Sequence, residues 1–411
     1  MEYGLIGEKL LHSFSKEIHS LLGDYDYSLL ELSLAEAEKL LKSKSFKGLN
    51  VTIPYKEAVI PFLDEISTEV KNAGAVNTVI NKNGKLIGFN TDIPAMKAAL
   101  SRSKIDIKDK NVLILGTGGT SKTAFSVCVS LGAKNINFVS RTKSENAVTY
   151  DEAHIIHGDT NVIINTTPVG MFPDSGSMPI DISLFPQLEA VFDVIYNPIR
   201  TRLIVEAEKA MLKTGSGLYM LIYQAVLSSE LFLGKKYEPD IFENAYRKML
   251  SQKRNIVLIG MPSCGKTTVG KIIAENTGRE FFDTDSIIEK NYGMKIKDIF
   301  EKYGEEEFRK AEREVIKELS EKRGAVISVG GGSVLCEENI INLKKNSALI
   351  FLRRDLKDLI ATEDRPLSNN YSDLEKLYKE RNNIYLSSAD DVIDTDDFSA
   401  AAKEIERRWI L

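Results

Sequence analysis

The sequence predicts an α/β protein with more than one domain. Strand-like apolar runs alternate with segments of helical periodicity along the whole chain, and its 411 residues exceed the roughly 150 of one ordinary domain. Two apolar runs lead directly into glycine-rich turns, at Gly116 and at Gly260, and helical sequence follows each turn. A strand, a glycine-rich turn and a helix in this order are typical of nucleotide-binding domains, so two such domains are expected.

Seven apolar runs are the clearest strand candidates. They are bounded by turn residues and have the length of strands rather than of helices. In chain order they read YGLIG, YSLLELS, NVLILG, NINFVS, NVIINTT, NIVLIG and SALIFL.

Composition and charge favour a globular protein that acts on small molecules. Hydrophobic residues make up 43% of the chain and charged residues 27%, which is the ordinary range for folded domains. The net charge of −5 gives no electrostatic reason to expect a nucleic-acid or membrane partner. Small-molecule partners are therefore expected.

The three cysteines and the N-terminal sequence indicate a cytoplasmic location. Cys128, Cys264 and Cys336 are odd in number and far apart, unlike a disulfide framework or a metal-binding cluster. The opening MEYGLIGEKL lacks the basic and apolar regions of a secretion signal, and no apolar run approaches the roughly 18 residues of a membrane span.

The boundary between the two halves is expected near residues 248–254. An amphipathic, polar stretch precedes the strand NIVLIG, and no low-complexity linker is visible there. A helix end therefore joins residues 1–250 to residues 251–411, rather than a long flexible tether.

The first glycine-rich turn has the features of a dinucleotide-binding loop. Gly116, Gly118 and Gly119 follow the strand NVLILG, and glycines let backbone amides approach a pyrophosphate at the start of the next helix. Ser121 occupies the position of the third glycine in the usual spacing, so taken alone this turn could also be a tight turn without a ligand.

The residues after the strand NINFVS indicate which dinucleotide binds. An enzyme that uses NAD commonly has an acidic residue here, to accept the ribose 2′-hydroxyl. This chain has a basic turn instead, in which Arg141 can make paired hydrogen bonds to the extra phosphate of NADP. The residues expected at this position are Ser140, Arg141, Thr142 and Lys143.

A series of motifs gives the first half its family resemblance. LHSFSKEIH, NVTIPYKE, GAVNTV, GFNTD, INTTPVGM, DVIYNP and GLYMLIYQA occur in the order found in shikimate dehydrogenases, over about 220 residues. The half therefore resembles that family. The resemblance implies an open α/β substrate domain of residues 1–100 and 217–248 around a Rossmann-like NADP domain of residues 101–216.

The same resemblance implies the catalytic and substrate-binding residues. Lys56 and Asp92 would form the catalytic pair beside the carbonyl that is reduced, since a cationic amine held by a carboxylate suits a proton donor. Taken alone, Lys56 could be a surface lysine and Asp92 a helix cap. The residues implied to bind the carboxylate and ring hydroxyls of the substrate are Ser13, Ser15, Thr52, Asn77, Tyr196 and Gln224.

Two features of the first half depart from the family pattern. Ile93 and Pro94 follow the aspartate of the NTD motif, where the family commonly has glycine, and this affects the conformation of the loop. The stretch from Arg141 to Asn161 is also short for a complete β-α-β unit, which affects the adenosine side of the cofactor site.

The second glycine-rich turn matches the P-loop pattern GxxxxGK[ST]. In GMPSCGKTT, backbone amides would hold the phosphates of ATP, Lys266 would neutralise the β and γ oxygens, and Thr267 would bind magnesium. The residues expected at this nucleotide site are Gly260, Gly265, Lys266, Thr267 and Thr268.

The motifs after the P-loop resemble those of shikimate kinases. FFDTDSIIE, GEEEFRKAE, VISVGGGSVL, DRPL and ERNNIY occur in that family's order across nearly all of residues 255–390. The resemblance implies a parallel sheet, Asp283 on the magnesium side and Asp285 at the hydroxyl that is phosphorylated. It also implies substrate binding by Arg309, Gly331 and Arg381, and closure of Arg365 over the transferred phosphoryl group from a short lid.

Together the two resemblances predict a bifunctional enzyme. Its first half would reduce 3-dehydroshikimate with NADPH, and its second half would phosphorylate the resulting shikimate with ATP and Mg²⁺. Two alternatives stay open at this point. One is an NAD-dependent quinate or shikimate oxidoreductase fused to another small-molecule kinase, and the other is a metabolite-sensing regulator that has lost catalysis.

Overall fold

The computed structural model describes residues 2–10, 13–359 and 371–410, with the side chains of Asn72 and Pro239 left aside. The chain divides into two units, Met1–Met249 and Leu250–Leu411. Each unit is an α/β structure with parallel strand pairing, which confirms the predicted fold class.

A mixed sheet of six strands forms the N-terminal lobe of the first unit. Its order is β2-β1-β3-β5-β6-β4, in which β1 pairs in parallel with β2 and β3, while β5 is antiparallel to β3 and β6. The strands are β1 (Tyr3–Gly7), β2 (Tyr27–Glu31), β3 (Gly48–Val51), β4 (Glu65–Ile66), β5 (Thr78–Lys82) and β6 (Lys85–Phe89).

A second sheet of six strands, all parallel, forms the other lobe of this unit. Its order is β12-β11-β10-β7-β8-β9, so the chain crosses from one side of β7 to the other between β9 and β10. Ligands of such sheets bind at the carboxyl ends of the strands near this crossing. The strands are β7 (Asn111–Leu115), β8 (Asn135–Ser140), β9 (Ala147–Thr149), β10 (Val162–Asn165), β11 (Ala190–Asp193) and β12 (Lys213–Ser216).

Alternate residues of this second sheet enter two different cores. Val112 and Ile114 belong to one buried cluster, whereas Leu113 and Leu115 belong to another. Successive side chains of a strand point to opposite faces, so a continuous apolar run is expected where both faces are covered. This explains why NVLILG reads as an unbroken apolar run rather than an alternating one.

In the described residues, nine helices begin within the first unit. Helix α2 begins with a capping box, in which the Ser33 side chain accepts from the Glu36 N–H and the Glu36 side chain accepts from the Ser33 N–H. The helices found in the described residues are α1 (Ser15–Leu22), α2 (Leu34–Ser43), α3 (Thr68–Ala73), α4 (Asp92–Arg102), α5 (Gly119–Ser130), α6 (Tyr150–Ile156), α7 (Arg202–Lys209), α8 (Gly217–Leu233) and α9 (Pro239–Lys253). Helix α9 continues across the division between the units.

The connection from β8 to β9 is unusually short. Only residues 141–146 separate the two strands, although they pair in parallel. Parallel strands normally need a crossover of a dozen or more residues, usually with a helix. The basic turn predicted to bind the cofactor therefore lies in a compact loop rather than at the start of a helix.

The second unit is built on a parallel sheet of five strands. Its order is β14-β15-β13-β16-β17, which places β13, the strand before the P-loop, at the centre. The strands are β13 (Asn255–Ile259), β14 (Phe281–Asp283), β15 (Val326–Ser328), β16 (Ser347–Arg353) and β17 (Asp391–Asp394). The helices are α10 (Lys266–Thr277), α11 (Thr284–Tyr292), α12 (Ile296–Leu319), α13 (Glu337–Lys344), α14 (Tyr371–Ser388) and α15 (Phe398–Trp409).

One buried cluster forms the core of the second unit. It combines residues 256–259 of β13 and the P-loop residues Met261 and Cys264 with apolar residues of β15, β16 and the surrounding helices. Across the described parts of both units, no helix has the length and apolar composition required to cross a bilayer.

Candidate active sites

Lys56 and Asp92 form an ion pair in the first unit. The Lys56 ammonium donates to the Asp92 carboxylate at 2.7 Å, and the two side chains are only 13% and 9% exposed. Lys56 lies in the turn after β3, where its carbonyl accepts the Val76 N–H at 2.7 Å. Since the pair is mostly screened from water, its mutual orientation is fixed more firmly than that of a surface ion pair.

Asp92 is the first residue of α4 rather than a side-chain cap. The Asn90 side-chain oxygen accepts the N–H groups of Asp92 at 3.1 Å and Ile93 at 3.2 Å, which leaves the Asp92 carboxylate to pair with Lys56. Pro94 lies in the first turn, where a missing N–H leaves no helical hydrogen bond unmade. Ile93 and Pro94 therefore fit a regular helix start, despite their departure from the family pattern.

Two of the predicted substrate ligands meet close to this pair. Asn77, which is 3% exposed, donates to the Gln224 side-chain oxygen at 3.5 Å and to the Thr91 hydroxyl at 2.8 Å. Thr91 directly precedes Asp92. The structure thus connects the start of β5, the start of α4 and helix α8 at a single point.

The predicted ligands at the N-terminus lie together as well. The Ser13 hydroxyl donates to the Ser15 hydroxyl at 3.1 Å. Phe14, between them, packs on the ring of Tyr196 with the ring centroids 5.2 Å apart. Tyr196 follows β11 in the second lobe, so this contact joins the two lobes. Thr52, at the end of β3, donates its N–H to Ile6 at 3.0 Å.

The first glycine-rich turn has the open backbone that a pyrophosphate needs. Gly116 has φ +104°, a conformation that favours glycine, and a Cβ there would lie 2.9 Å from the Thr166 hydroxyl. A Cβ on Gly118 would meet no described atom within 4 Å, and one on Gly119 would lie 3.5 Å from the Lys56 Cβ. The turn therefore has room for phosphate, and it lies directly beside the proposed catalytic lysine.

Ser121 explains how the turn works without its third glycine. Its hydroxyl donates to the Gly118 carbonyl at 2.6 Å, and the residue is 1% exposed. The serine side chain therefore points into the first turn of α5 and leaves the face of the glycines clear.

The basic turn after β8 presents its two cations differently. The Lys143 ammonium lies 2.5 Å from Glu152, whose carboxylate also accepts from the Thr149 N–H and hydroxyl at the start of α6. Burial raises the pKa of Tyr150, and the positive charge of Arg141 nearby opposes that rise. The Ser140 hydroxyl donates to the Thr142 carbonyl, which closes the turn. Arg141 is thus exposed, while Lys143 is already paired.

The P-loop of the second unit has the geometry of a phosphate-binding loop. Gly260 and Gly265 have φ +145° and +98°, in the region that favours glycine. The Lys266 ammonium donates to the carbonyls of Gly260 at 3.0 Å and Met261 at 2.9 Å, so it is folded back over the loop. Thr267 and Thr268 follow, both exposed, in the first turn of α10.

The two residues predicted to bind magnesium are in contact. The Thr267 hydroxyl donates to the Asp283 carboxylate at 2.9 Å. Asp283 also accepts the Ser286 N–H at 3.1 Å through its other oxygen, and so caps α11. A hydroxyl and a carboxylate at this distance are suitable oxygen donors for Mg²⁺, which binds few protein ligands and keeps several waters.

Arg309 lies against the glycine-rich loop that follows β15. A Cβ on Gly332 would come within 2.4 Å of the Arg309 guanidinium, and one on Gly330 within 2.9 Å of Asp285 Oδ1. The guanidinium donates to Glu312 at 2.9 Å and to Glu305 at 3.1 Å. Burial alone would lower the pKa of Arg309, but these two carboxylates outweigh it and raise the pKa above its ordinary value.

Arg381 is buried on α14 beside the same loop. It is 4% exposed, and its charge acts on the hydroxyl of Tyr385, which donates to the Gly331 carbonyl. Burial of Tyr385 raises the pKa of its hydroxyl, so it stays protonated as a donor. Arg365 lies outside the described residues.

Two residues of this site were not predicted as ligands or supports. Glu312 is 1% exposed and accepts from both Arg309 and the Ser333 hydroxyl, the latter at 2.6 Å. Its spacing of three residues from Arg309 on the same helix was a signal for this pair. Tyr385 lies four residues after Arg381, one turn along the same helix face, and this spacing was the corresponding signal.

Comparison with known sequences identifies relatives of the first half. Shikimate dehydrogenase (NADP(+)) from Clostridium perfringens (strain SM101 / Type A) is 37% identical over 265 residues, which cover 60% of this chain and 97% of that protein. The family model of the shikimate dehydrogenase substrate binding domain matches residues 5–79. The shikimate kinase family model matches residues 262–409.

Solved structures agree with the sequence relatives. Shikimate dehydrogenase 1 from Peptoclostridium difficile has a TM-score of 0.56 at 34% identity and covers 61% of this chain and 98% of its own. A chorismate mutase/shikimate 5-dehydrogenase fusion protein from Clostridium acetobutylicum has a TM-score of 0.57 at 34% identity, covering 60% of this chain and 96% of its own. The matches fall on the two halves in which the motifs predicted them.

Proposed function

The chain belongs to the shikimate dehydrogenase family through its first 60% and carries a shikimate kinase domain after it, and we propose from this that it catalyses two consecutive reactions. The first unit reduces 3-dehydroshikimate to shikimate with NADPH. The second unit phosphorylates shikimate to shikimate 3-phosphate with ATP and Mg²⁺. Both resemblances read from the sequence motifs are confirmed.

The first reaction uses Lys56 and Asp92 as a proton-donating pair. NADPH, when bound, supplies the hydride that reduces the carbonyl carbon. Negative charge then develops on the carbonyl oxygen, and the Lys56 ammonium both stabilises that charge and donates the proton that makes the hydroxyl. The Asp92 carboxylate, 2.7 Å away, holds the ammonium in place.

The polar residues around this pair bind the substrate. Asn77 and Gln224 lie together beside Asp92, and a polyhydroxylated acid needs such partners, because a buried hydroxyl without one is costly. Ser13 and Ser15 approach from the start of α1. Tyr196, against Phe14, completes this group from the second lobe, with Thr52 at the end of β3.

The cofactor of the first unit is NADP(H). Gly116, Gly118 and Gly119 leave the space for its pyrophosphate. Arg141 is the exposed cation suited to the 2′-phosphate, with Ser140, Thr142 and Lys143 in the same turn. No acidic residue that would favour NAD stands directly after β8.

The second reaction depends on positioning and positive charge. Mg-ATP, when bound, supplies the phosphoryl group and part of the positive charge that the transfer needs. Lys266 would turn from its present carbonyl partners to the phosphates, and Thr267 with Asp283 would hold the metal. Asp285 orients the acceptor hydroxyl and accepts its proton. Arg365, in the family's lid motif, stabilises charge on the transferred group.

The carboxylate of shikimate binds to two arginines in the second unit. Arg309 and Arg381 lie on different helices beside the glycine-rich loop, and each guanidinium can pair with both oxygens of a carboxylate. Gly331, whose carbonyl accepts from Tyr385, brings the backbone close to the ring. This arrangement suits an acid as the acceptor substrate.

The observation that carries the proposal is the buried Lys56–Asp92 pair in a chain that spans nearly the whole length of a shikimate dehydrogenase. We also propose a cytoplasmic setting, because the three cysteines are unpaired and two of them are buried. Small metabolites are the expected partners, without a nucleic acid or a membrane.

A coupled assay tests both activities at once. The purified chain receives 3-dehydroshikimate, NADPH and Mg-ATP, and NADPH absorbance and ADP release are followed separately. We expect both signals, with ADP release dependent on the reduction. Ligand binding without either signal would instead favour a sensor. Faster turnover with NADH and quinate would favour the quinate oxidoreductase alternative. Quinate dehydrogenase from Corynebacterium glutamicum has the same fold as this unit, at 26% identity.

A further inference from the structure

We propose that Ser228 is a positioning residue for the dehydrogenase site, through hydrogen bonds that connect the substrate ligands Asn77 and Gln224. This inference rests on the proposed reduction of 3-dehydroshikimate. Ser228 does not touch the substrate in this role. It fixes the relative position of three segments whose side chains do.

The Ser228 hydroxyl has four polar neighbours from four segments. It donates to the Gln224 carbonyl at 2.8 Å, one turn earlier on α8, and accepts from the Asn50 side-chain amide at 2.8 Å. The Thr78 and Thr91 hydroxyls lie at 2.9 and 3.2 Å.

All members of this cluster are withdrawn from water. Ser228 and Thr78 are 0% exposed, Thr91 is 4%, Asn50 is 5% and Asn77 is 3%. A hydrogen bond between buried groups is costly to break, because no bond to water replaces it. The cluster therefore has few alternative arrangements.

With one assignment of the hydroxyl protons, the hydrogen bonds of this cluster run in a single direction from Asn77 to the Gln224 carbonyl. The Asn77 amide donates to the Thr91 hydroxyl at 2.8 Å, Thr91 donates to Ser228, and Ser228 donates to the Gln224 carbonyl. Thr78 then donates to the Asn77 side-chain oxygen at 3.1 Å. In this assignment Ser228 donates to Gln224 and accepts from Asn50 and Thr91, which uses its one proton and both lone pairs; Thr78, at 2.9 Å, is then a contact without a shared proton.

This chain of hydrogen bonds reaches both sides of the substrate site. At one end Asn77 also accepts the Thr91 N–H at 2.8 Å, which fixes the backbone next to Asp92. At the other end the bond to the Gln224 carbonyl fixes the turn of α8 from which the Gln224 side chain extends. Removing the Ser228 oxygen takes away the acceptor of the Thr91 proton, so the hydroxyl to which the Asn77 amide donates loses its fixed orientation.

Ser229 provides a matched control. It is the next residue of α8, it is also 0% exposed, and its hydroxyl has two half-buried partners, Tyr25 at 2.8 Å and Tyr237 at 2.7 Å. None of these partners is a proposed substrate ligand. Ser229→Ala therefore removes the same atom, from the same depth, in a different hydrogen-bonding group.

The test compares Ser228→Ala with Ser229→Ala in the full chain. We expect Ser228→Ala to raise the KM for 3-dehydroshikimate by about 5- to 20-fold, because one buried hydrogen bond that positions the substrate ligands is lost. The KM for NADPH should change by less than about 2-fold. Ser229→Ala should leave both KM values within about 2-fold of the wild-type values, even if it lowers thermal stability as much as Ser228→Ala does.

The outcomes separate this inference from the function on which it rests. A wild-type chain that does not reduce 3-dehydroshikimate overturns the proposed function itself. An active wild type with an unchanged KM in Ser228→Ala, or an equal rise in Ser229→Ala, overturns the positioning role. If Ser228→Ala does not fold, Thr91→Val breaks the same chain of bonds at nearly constant volume, and an unchanged KM there overturns the role equally.

Discussion

The Lys56 ammonium lies 2.7 Å from the Asp92 carboxylate, although 36 residues separate them in the sequence. The pair joins the turn after β3 to the first residue of α4, and the backbone of Gly119 lies alongside the lysine. A proton donor, its supporting carboxylate and the cofactor turn thus meet at one place in the first unit.

Replacement of Lys56 by alanine should abolish reduction and leave phosphorylation intact. Removing the ammonium removes both the proton donor and the charge opposite the developing alkoxide, so kcat should fall by about 10³-fold or more. The measurement is NADPH oxidation with 3-dehydroshikimate, beside ADP release with added shikimate. Lys44→Ala is the matched control, because Lys44 pairs with Asp64 at 3.1 Å but both are substantially exposed. A similar loss in that variant would contradict a special role for Lys56.

Replacement of Lys266 by alanine should have the opposite effect. Its ammonium is the P-loop cation for the phosphates, and its loss should reduce ADP release by about 10²-fold or more while reduction continues. Lys271→Ala, on the exposed surface of the same helix, serves as the control. Loss of both activities from the Lys266 change would argue against independent sites.

The two cations of the basic turn should contribute unequally to NADPH binding. Arg141→Ala should raise the KM for NADPH by about 10-fold and reduce the preference for NADPH over NADH. Lys143→Ala should have a smaller effect, because Glu152 already pairs with that ammonium. Steady-state kinetics with both cofactors measure this difference, and a larger effect from Lys143 would show that the ion pair opens for the phosphate.

Gly332→Ala should weaken shikimate binding to the second unit. The new Cβ would lie 2.4 Å from the Arg309 guanidinium, which Glu305 and Glu312 hold in place, so the arginine must move. We expect the KM for shikimate in the kinase reaction to rise by about 10-fold or more, since a bidentate pair depends on geometry. The reductase activity of the same preparation is the control, and an unchanged kinase KM would place the carboxylate elsewhere.

His19 should make the first unit sensitive to mild acid. Burial lowers the pKa of His19 from 6.5 to about 3, and the ring stacks on Tyr27 with centroids 3.8 Å apart. The unfolded chain therefore binds a proton that the folded one excludes, and the free energy of unfolding falls as the pH decreases from 6.5 toward 3. At pH 5 the loss from this group is about 2 kcal/mol relative to pH 7.

Calorimetry of the full chain at pH 7 and pH 5 measures this loss. The transition of the first unit is the one that NADPH shifts to higher temperature. His19→Gln should lose less stability on acidification than the wild type does, whereas His154→Gln, at a part-exposed position on α6, should keep the wild-type dependence. Equal losses in the wild type and His19→Gln would contradict the buried neutral histidine.

Local patterns were enough to predict much of this protein. The seven apolar runs are strands, and both glycine-rich turns follow a strand and begin a helix, because short-range hydrogen bonding and glycine conformations decide those features. The P-loop and the motif series also identified the two families, since these residues touch ligands whose chemistry fixes their type and spacing.

Only the tertiary structure decided which distant residues meet. The family resemblance implied that Lys56 and Asp92 pair, but their distance and burial depend on how the turn after β3 packs against the start of α4, and the burial of Glu312 depends on the loop after β15. Three of the four neighbours of Ser228 come from positions 50, 78 and 91, to which no periodicity relates it; only Gln224 lies one helical turn away. Sequence patterns reflect interactions between residues a few positions apart, whereas these contacts arise when whole helices and strands pack together. Burial then makes each of their hydrogen bonds costly to break.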